Sequence, residues 1–376
     1  MKILISVQYF DPAKGGAEKS LQTITKELAK EHEVIVIQAG KKEKIEILNN
    51  FNIITKKVSI YDEHWIFPII PQCEEWRLII DNEIQKYNPD LIITQLNFAA
   101  PTIDIANKYN IPSIMFIRSY EHFCPDAFLK GVNCDKNCKN CMSFRFKTRY
   151  PNIEKWLEWN KKAIINSNLV IANSYFVANI TEKWTGIIPE ILYPTINLKN
   201  YKTLNQKREY ITMIKPSKEK GIEIFLKIVK NTPNEKFLIV GGNRILKVKK
   251  QLYKLNNLKI INWTNDMGSV YNKTKILLTP SMWEEPFGRV IIEAGINNIP
   301  IIASYRGGLP EAVGDGGIVI NDIYNISLWK RAINLLNNDQ NYNDYANKAK
   351  INAMKFDFNE NFKIFKNMIN EKLMVI

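Results

Sequence analysis

The amino-acid sequence predicts an α/β protein with two doubly wound domains, each built on a parallel sheet. The chain has 376 residues, which is more than one hydrophobic core usually supports, so we expect two domains. Short runs rich in β-branched residues alternate with longer amphipathic segments, a pattern typical of parallel strands covered by helices on both faces. The pattern stops in a polar stretch near residues 195–209 and then starts again. We therefore predict a first domain at 1–197, a second domain at 198–355, and a C-terminal helix at 356–376, for which packing back on the first domain is one option.

Each half of the chain contains six apolar runs that we predict as strands. They lie at 2–7, 33–39, 90–95, 113–117, 169–174 and 190–194, and then at 210–214, 237–242, 258–263, 275–280, 299–304 and 317–320. Between the first two runs, Leu21, Ile24 and Leu28 recur at the spacing of one helix face. In open sheets of this kind ligands bind beyond the carboxyl ends of the strands, so we look for function in the loops after the strands.

The composition excludes several classes of function. The net charge is +14 and 45% of the residues are hydrophobic, as in a basic globular protein, and no apolar run reaches the roughly 18 residues that a membrane span needs. No helix-turn-helix, RNP or zinc-finger pattern points to nucleic acid. The start, MKILISVQYF, has no small-residue cleavage site and is predicted as a strand, so we expect a cytoplasmic protein. The basic and aromatic segment 144–162 fits an ordinary solvated helix, contact with an anionic membrane surface, which would make the protein peripheral, or stacking on nucleic-acid bases.

Two acidic residues, Glu285 and Glu293, are separated by seven residues in the segment MWEEPFGRVIIEAG. Gly288 lets the backbone approach a ligand closely, and the amides of Gly288, Arg289 and Val290 open a helix, where an anion is favoured. Because Glu285 precedes this helix and Glu293 lies about one turn inside it, the two acids do not share one helical face. Two interpretations follow from these residues alone. Either Glu285 is an acid at the start of the helix and Glu293 is solvated, or the two acids contact different parts of one extended ligand.

Three further loops that follow predicted strands have residues that suit ligand binding. Lys215 and Lys220 lie five residues apart after a predicted strand, where two cations suit a diphosphate. Gly15 and Gly16 follow the first strand and precede a helix, without the glycine fingerprint of dinucleotide-binding proteins. A glycine-rich turn, RGGLPEAVGDGG, follows another strand at 306–317.

In this order and spacing, the segments resemble the retaining glycosyltransferases of family 4, also called group 1, which have the GT-B fold. The resemblance rests on GGAE, LVIANS, EILYP, KPSKEKG, LLTPSMWEEPFGRVIIEA and RGGLPEAVGDGG, and it covers nearly the whole chain. It implies two Rossmann-like domains facing a central cleft, with the acceptor on the first domain and a nucleotide-sugar donor on the second.

The resemblance also implies roles for individual residues. Glu285 would contact the hydroxyls of the donor sugar, Glu293 would bind the ribose, and Lys215 and Lys220 would hold the diphosphate, although Arg is usual where Lys215 stands. The remaining donor-side positions are Gly15, Gly16, Trp263, Thr264, Phe287, Gly288, Arg289 and Val290, with Gly16 facing the diphosphate and Trp263 and Thr264 flanking the base. The implied reaction is transfer from a UDP- or GDP-sugar with retention, by a front-face mechanism that needs no divalent metal. The implied acceptor is a glycan or a lipid-linked saccharide in polysaccharide biosynthesis.

The acceptor side departs from the family pattern. Many members carry His after the strand at 113–117, and Arg118 stands at that position here. Arg118 would suit an anionic acceptor or a donor phosphate. His122, four residues further on, is a second candidate for an active-site role, and a purely structural histidine is the alternative.

Four cysteines cluster in a loop of the first domain, at Cys124, Cys134, Cys138 and Cys141. In a cytoplasmic chain, clustered thiols fit a structural zinc site or an Fe–S site. Free thiols and disulfide pairing are the alternatives.

Two other functions use a similar set of residues. One is a nucleotide-sugar epimerase of the same fold, which would need further acids and a His around the sugar. The other is a non-catalytic subunit that binds a nucleotide sugar; the presence of Glu285, Glu293, Lys215 and Lys220 argues against it.

Overall fold

The computed structural model describes residues 1–48, 50–59, 70–124, 153–203, 208–241 and 255–373. The chain forms two compact units. The first consists of Met1–Thr195 and Asn361–Ile376, and the second of Ile196–Glu360. Within the described ranges, no helix combines the length and the apolar character needed to cross a membrane.

The first unit is built on one sheet, in which the described residues supply eight strands in the order β3-β4-β2-β1-β5-β6-β7-β8. The strands are β1 (Lys2–Val7), β2 (Glu33–Gly40), β3 (Lys44–Leu48), β4 (Phe51–Lys57), β5 (Leu91–Gln95), β6 (Ser113–Ile117), β7 (Leu169–Ala172) and β8 (Glu190–Ile191). All neighbours pair in parallel except β3 and β4. The edge pair β3 and β4 is absent from the strands predicted above.

Helices cover both faces of this sheet. They are α1 (Gly16–Leu28), α2 (Ile70–Tyr87), α3 (Ala99–Lys108), α4 (Ile153–Ile165), α5 (Tyr175–Thr185) and, from the C-terminal part of the chain, the helix Phe358–Leu373, with a short 3-10 turn at Leu96–Phe98. On one face, Ile3 and Ile5 pack with Ile24 of α1 and with Phe365 of the C-terminal helix. On the other face, Trp76 of α2 is fully buried against α3 and α4, and its indole N–H donates to Ser6 Oγ at 3.0 Å. Alternate residues of each strand therefore fill two separate cores, as the sequence pattern predicts for a doubly wound sheet.

The second unit has a fully parallel sheet, whose strands within the described residues follow the order β11-β10-β9-β12-β13-β14. They are β9 (Tyr210–Ile214), β10 (Lys236–Val240), β11 (Leu258–Ile261), β12 (Thr274–Thr279), β13 (Ile301–Ser304) and β14 (Gly317–Ile320). The helices are α6 (Ile222–Asn231), α7 (Met267–Tyr271), α8 (Arg289–Gly295), α9 (Leu309–Val313), α10 (Ile326–Leu336) and α11 (Asp339–Met354), with a 3-10 turn at Leu198–Tyr201; the C-terminal helix is α12. Phe225 of α6 and Trp329 of α10 pack on one face. On α8, Gly295 approaches α11 so closely that a Cβ would stand 2.7 Å from the Ala349 carbonyl oxygen.

The parallel register brings the loops of the second unit to one edge of its sheet. Ile214 at the end of β9 pairs with Val240 at the end of β10, and Val240 pairs with Ile261 at the end of β11. Thr279 and Ala303 pair near the ends of β12 and β13 in the same way. The loops that begin at residues 215, 241, 262, 280 and 305 therefore leave the sheet side by side.

Candidate functional site

Lys215 follows β9 in a left-handed conformation, with φ of +50°. Its N–H donates to the Val240 carbonyl at 2.9 Å, and its Nζ lies 4.5 Å from the ring centre of Trp263, which follows β11. Gly241 lies beside them with φ of +90° and faces the Trp263 ring. The indole keeps 40% of its surface exposed, so it holds the ammonium and still offers area to a ligand.

Lys220 forms an ion pair with Glu285, with 2.7 Å between Lys220 Nζ and Glu285 Oε1. Glu285 is only 8% exposed, whereas the Lys220 side chain keeps 35% of its surface. The two residues are far apart in sequence, and the structure brings them together through the loops after β9 and β12.

These two loops are joined by main-chain hydrogen bonds. The Glu219 carbonyl accepts from the N–H of Met282 at 2.8 Å and from the N–H of Trp283 at 3.0 Å. Gly221 has φ of +76°, and a Cβ there would stand 1.8 Å from the Pro280 carbonyl oxygen. Glycine is therefore required at this position for the loops to approach each other.

A third loop, after β13, packs against the same segment. Gly308 N–H donates to the Glu285 carbonyl at 2.7 Å, and Gly307 N–H donates to the Glu284 carboxylate. Burial raises the pKa of Glu284, although the Gly307 amide and Arg306 oppose this effect. Glu284 was not among the predicted site residues; its role is to fix the glycine-rich turn at 306–317 beside Glu285.

Gly288 has φ of +108°, and α8 begins at the next residue, Arg289. A Cβ at Gly288 would come within 2.8 Å of Leu309. The Phe287 side chain is buried against Phe356, with 5.2 Å between the ring centres, so only its main chain is available to a ligand. Val290 is partly buried in the first turn.

Glu293 is buried at 7% exposure, so the interpretation of a solvated second acid is wrong. Its Oε2 accepts from the Tyr271 hydroxyl at 2.8 Å, and its Oε1 lies 3.8 Å from Arg289 Nε. Burial, followed by the nearby Glu293 charge, raises the pKa of Tyr271 well above its ordinary value. The same two causes raise the pKa of Tyr201. Neither tyrosine was singled out in the sequence.

Thr264, predicted to flank the base, accepts from Asp266 N–H at 3.1 Å in the turn before α7.

In the first unit, the glycine pair opens α1. Gly15 is the N-cap and Gly16 the first residue of the helix, and Gly15 N–H donates to the Glu18 carboxylate at 2.7 Å. The Glu18 side chain therefore satisfies the N–H of Gly15, and the role predicted for the Gly16 amide stays a prediction.

Arg118 is buried immediately after β6, with its guanidinium carbon 4.2 Å from the centre of the Phe116 ring. Its carbonyl accepts from Asn173 Nδ2 at 2.9 Å, which joins the ends of β6 and β7.

His122 is buried at 2% exposure, and its Nδ1 lies 2.8 Å from Asn160 Oδ1. Asn160 Nδ2 donates to the Trp156 carbonyl, so Oδ1 is the acceptor and His122 Nδ1 carries the proton. Burial lowers the pKa of His122 to about 4, which leaves the ring neutral with an unprotonated Nε2. Nε2 has no hydrogen-bond partner in the part of the chain that the structure describes. Next to it, burial raises the pKa of Glu121 to about 7.

Of the clustered cysteines, Cys124 is described and buried, and Cys134, Cys138 and Cys141 lie outside the described residues. Across the described ranges, no three His, Cys, Asp or Glu side chains group as a metal site requires. The predicted zinc or Fe–S site stays a prediction.

Family models match both units. Residues 14–200 match the model for glycosyltransferase family 4, and residues 196–355 match the model for glycosyl transferases group 1. The chain belongs to the family 4, group 1 glycosyltransferases. The resemblance seen in the sequence is thereby confirmed.

This glycosyltransferase is 25% identical over 210 residues to an uncharacterized 41.2 kDa protein in the cps region of Klebsiella pneumoniae. The match covers 48% of the chain and 56% of that protein, so the chain spans about half the length of this curated relative. Among solved structures, sucrose-phosphate synthase from Thermosynechococcus elongatus has a TM-score of 0.79 at 16% identity, over 100% of both chains. Anabaena HepE in complex with UDP has a TM-score of 0.75 at 18% identity, over 98% of this chain and 100% of that one. These likenesses confirm the GT-B fold, with its two parallel-sheet α/β domains.

Proposed function

We propose that this glycosyltransferase transfers a sugar from a UDP- or GDP-sugar to a glycan or a lipid-linked saccharide, with retention of configuration. The observation that carries the proposal is the partly buried Lys220–Glu285 pair, 2.7 Å apart, at the carboxyl edge of the second sheet. A carboxylate and an ammonium fixed together suit a ligand that presents sugar hydroxyls next to phosphate. The UDP bound to HepE is consistent with a donor of this class.

The second unit supplies the groups that a nucleotide sugar needs. Lys215 and Lys220 would neutralise the diphosphate, and Glu285 would accept hydrogen bonds from the sugar hydroxyls. A short helix starts at Gly288, Arg289 and Val290, and the main-chain N–H groups of these residues would donate further hydrogen bonds to the donor. Trp263 offers an exposed ring for the base. Gly16 of the first unit stays the predicted contact of that unit with the diphosphate.

In the proposed reaction, the acceptor hydroxyl oxygen bonds to the anomeric carbon as the bond from that carbon to the diphosphate oxygen breaks. The departing phosphate oxygen takes the proton of the hydroxyl. The protein positions the two substrates and stabilises the charge that develops on the diphosphate. The two lysines would do what a divalent cation does in other transferases.

We propose that the acceptor binds the first unit near Arg118 and His122. His122 Nε2 is unprotonated but buried, so an acceptor hydroxyl would reach its lone pair only after the neighbouring side chains move; a neutral ring suits a hydroxyl better than an anion. Arg118 would bind a negative group on the acceptor. A cytoplasmic location and contact with an anionic membrane surface stay predictions of the sequence.

The test is a transfer and hydrolysis assay across UDP-, GDP- and ADP-sugars, with and without EDTA. We expect turnover of one donor class, unaffected by EDTA, and loss of turnover in Glu285→Ala or Lys220→Ala proteins that remain folded. Full activity in either variant would refute the assignment of the donor site to Lys220 and Glu285. Release of an epimeric nucleotide sugar would point to an epimerase, and binding without turnover would point to a non-catalytic subunit.

A further inference from the structure

Glu293, which the proposed function assigns to the donor ribose, is held by side chains of the protein itself. The inference below rests on that proposed function. Tyr271 has no exposed surface, and its hydroxyl donates to Glu293 Oε2 at 2.8 Å. Its raised pKa keeps it protonated throughout the physiological range, so it is always a donor.

The backbone around Glu293 is also fixed. The Glu293 carbonyl accepts from Asn297 Nδ2 at 2.9 Å, and the same amide nitrogen donates to the Tyr201 carbonyl at 2.7 Å. Asn297 Oδ1 accepts from Thr203 N–H at 2.9 Å. The start of the second unit is thereby tied to α8, and the remaining freedom of Glu293 is in its side-chain torsions.

The two carboxylate oxygens of Glu293 have different surroundings. Oε2 faces Tyr271, which is enclosed by protein, so a ligand cannot replace this hydrogen bond. Oε1 lies 3.8 Å from Arg289 Nε, beyond hydrogen-bond distance, and the Arg289 side chain keeps 16% of its surface. The partly buried Tyr201 is close enough to both residues for the charges of Glu293 and Arg289 to shift its pKa.

We propose that Tyr271 is a positioning residue that fixes the Glu293 carboxylate, so that its two oxygens offer the ribose unequal capacity to accept hydrogen bonds. A carboxylate with both oxygens available can accept from both ribose hydroxyls. Because Oε2 already shares one of its lone pairs with Tyr271, the ribose hydroxyl that meets Oε1 should contribute more to binding than the hydroxyl that meets Oε2.

The first experiment uses the wild-type protein and the nucleoside diphosphate that it binds best among UDP, GDP and ADP. Dissociation constants are measured by calorimetry for this nucleotide and for its 2′-deoxy and 3′-deoxy forms. We expect one deoxy form to bind about tenfold or more weakly, as for loss of a hydrogen bond to a charged group. The other should bind within about twofold. Equal losses for both forms, or no loss for either, would overturn the inference.

The second experiment repeats the series with Tyr271→Phe. We expect the ratio between the parent nucleotide and the sensitive deoxy form to fall from about tenfold to about threefold or less, because the carboxylate is no longer oriented. The affinity for the deoxy form itself should stay unchanged. A purely structural role would weaken all three ligands by the same factor and leave the ratio intact.

The matched control is Tyr342→Phe. It removes a hydroxyl that donates to the Lys275 carbonyl at 3.0 Å in the same unit, and it should keep the wild-type ratio. If Tyr271→Phe does not fold, the wild-type comparison decides the matter by itself. Failure of the wild type to bind any nucleoside diphosphate would instead refute the proposed function.

Discussion

The Lys220–Glu285 pair predicts an asymmetric response to mutation. Lys220→Met removes the positive charge while keeping the aliphatic stem, and it leaves the carboxylate of Glu285 buried at 8% exposure. Glu285→Gln removes the negative charge instead, and it leaves an ammonium whose side chain keeps 35% of its surface in water. The two variants break the same 2.7 Å contact. Only Lys220→Met leaves an unpaired charge, that of the Glu285 carboxylate, inside the protein.

The magnitudes follow from that burial. Breaking a fully buried pair costs about 3–5 kcal/mol of unfolding free energy, because the remaining charge has no partner. The exposure of Lys220 means that water already screens the contact, so we expect about 1–2 kcal/mol for Lys220→Met. For Glu285→Gln we expect less than about 1 kcal/mol, because the lysine can turn to solvent. Both variants should lose about a hundredfold or more in kcat if the pair serves the donor.

Urea unfolding measured by circular dichroism gives the stability of each variant, and the donor assay gives the rate. Lys236→Met is the control, because it breaks the exposed Lys236–Glu209 pair in the same unit. This control should change stability by less than about 1 kcal/mol and leave the rate unchanged. Equal stability of Lys220→Met and wild type, or a greater loss in Glu285→Gln, would refute this reasoning.

Two further predictions concern stability. Gly307→Ala should lower the free energy of unfolding by about 3 kcal/mol or more, because φ is +57° and the new Cβ would stand 2.1 Å from the Glu285 carbonyl oxygen. Gly186→Ala has φ of +79° and no atom within 4 Å of the new Cβ, so it should lower the free energy of unfolding by only about 1 kcal/mol. Similar losses in the two alanine variants, measured by urea unfolding, would contradict the role of close approach. Burial raises the pKa of Glu121 from 4.5 to about 7, so the unfolded chain ionises first and the wild type loses stability as pH rises through this range. Glu121→Gln should abolish that loss and be more stable than wild type above pH 7 by about 1–3 kcal/mol; parallel stability curves from pH 4.5 to 8 would disprove it.

The sequence predicts the strands of the second sheet well because each is a continuous apolar run bounded by turn residues. It does not predict β3 and β4, because the edge strand KIEIL alternates Lys and Glu with isoleucines that stay in solvent. Ile45 and Ile47 are 69% and 81% exposed. An edge strand with little burial leaves only a weak pattern in the sequence.

The candidate site is predicted in part. The sequence indicates four of the site residues because they lie in or just after the few loops that follow predicted strands. They are Lys215, Lys220, Glu285 and Glu293. Their partners are not, because Tyr271 resembles any apolar residue before a strand and its hydroxyl gains meaning only beside Glu293. Long-range pairing depends on how α7 and α8 lie together, which local sequence patterns do not encode.

The loops after β9, β12 and β13 are joined by main-chain atoms: Glu219 holds Met282 and Trp283, and Gly308 holds Glu285. Main-chain groups are present whatever the side chain, so this frame tolerates exchange of the residues that project from it. Under the proposed function, substitutions at Lys215 or Trp263 would change which donor is preferred without displacing the Glu285 carboxylate. Main-chain hydrogen bonds therefore support the site, whereas the side chains would determine which ligand binds. This division is a starting point for redesigning the donor specificity of this enzyme.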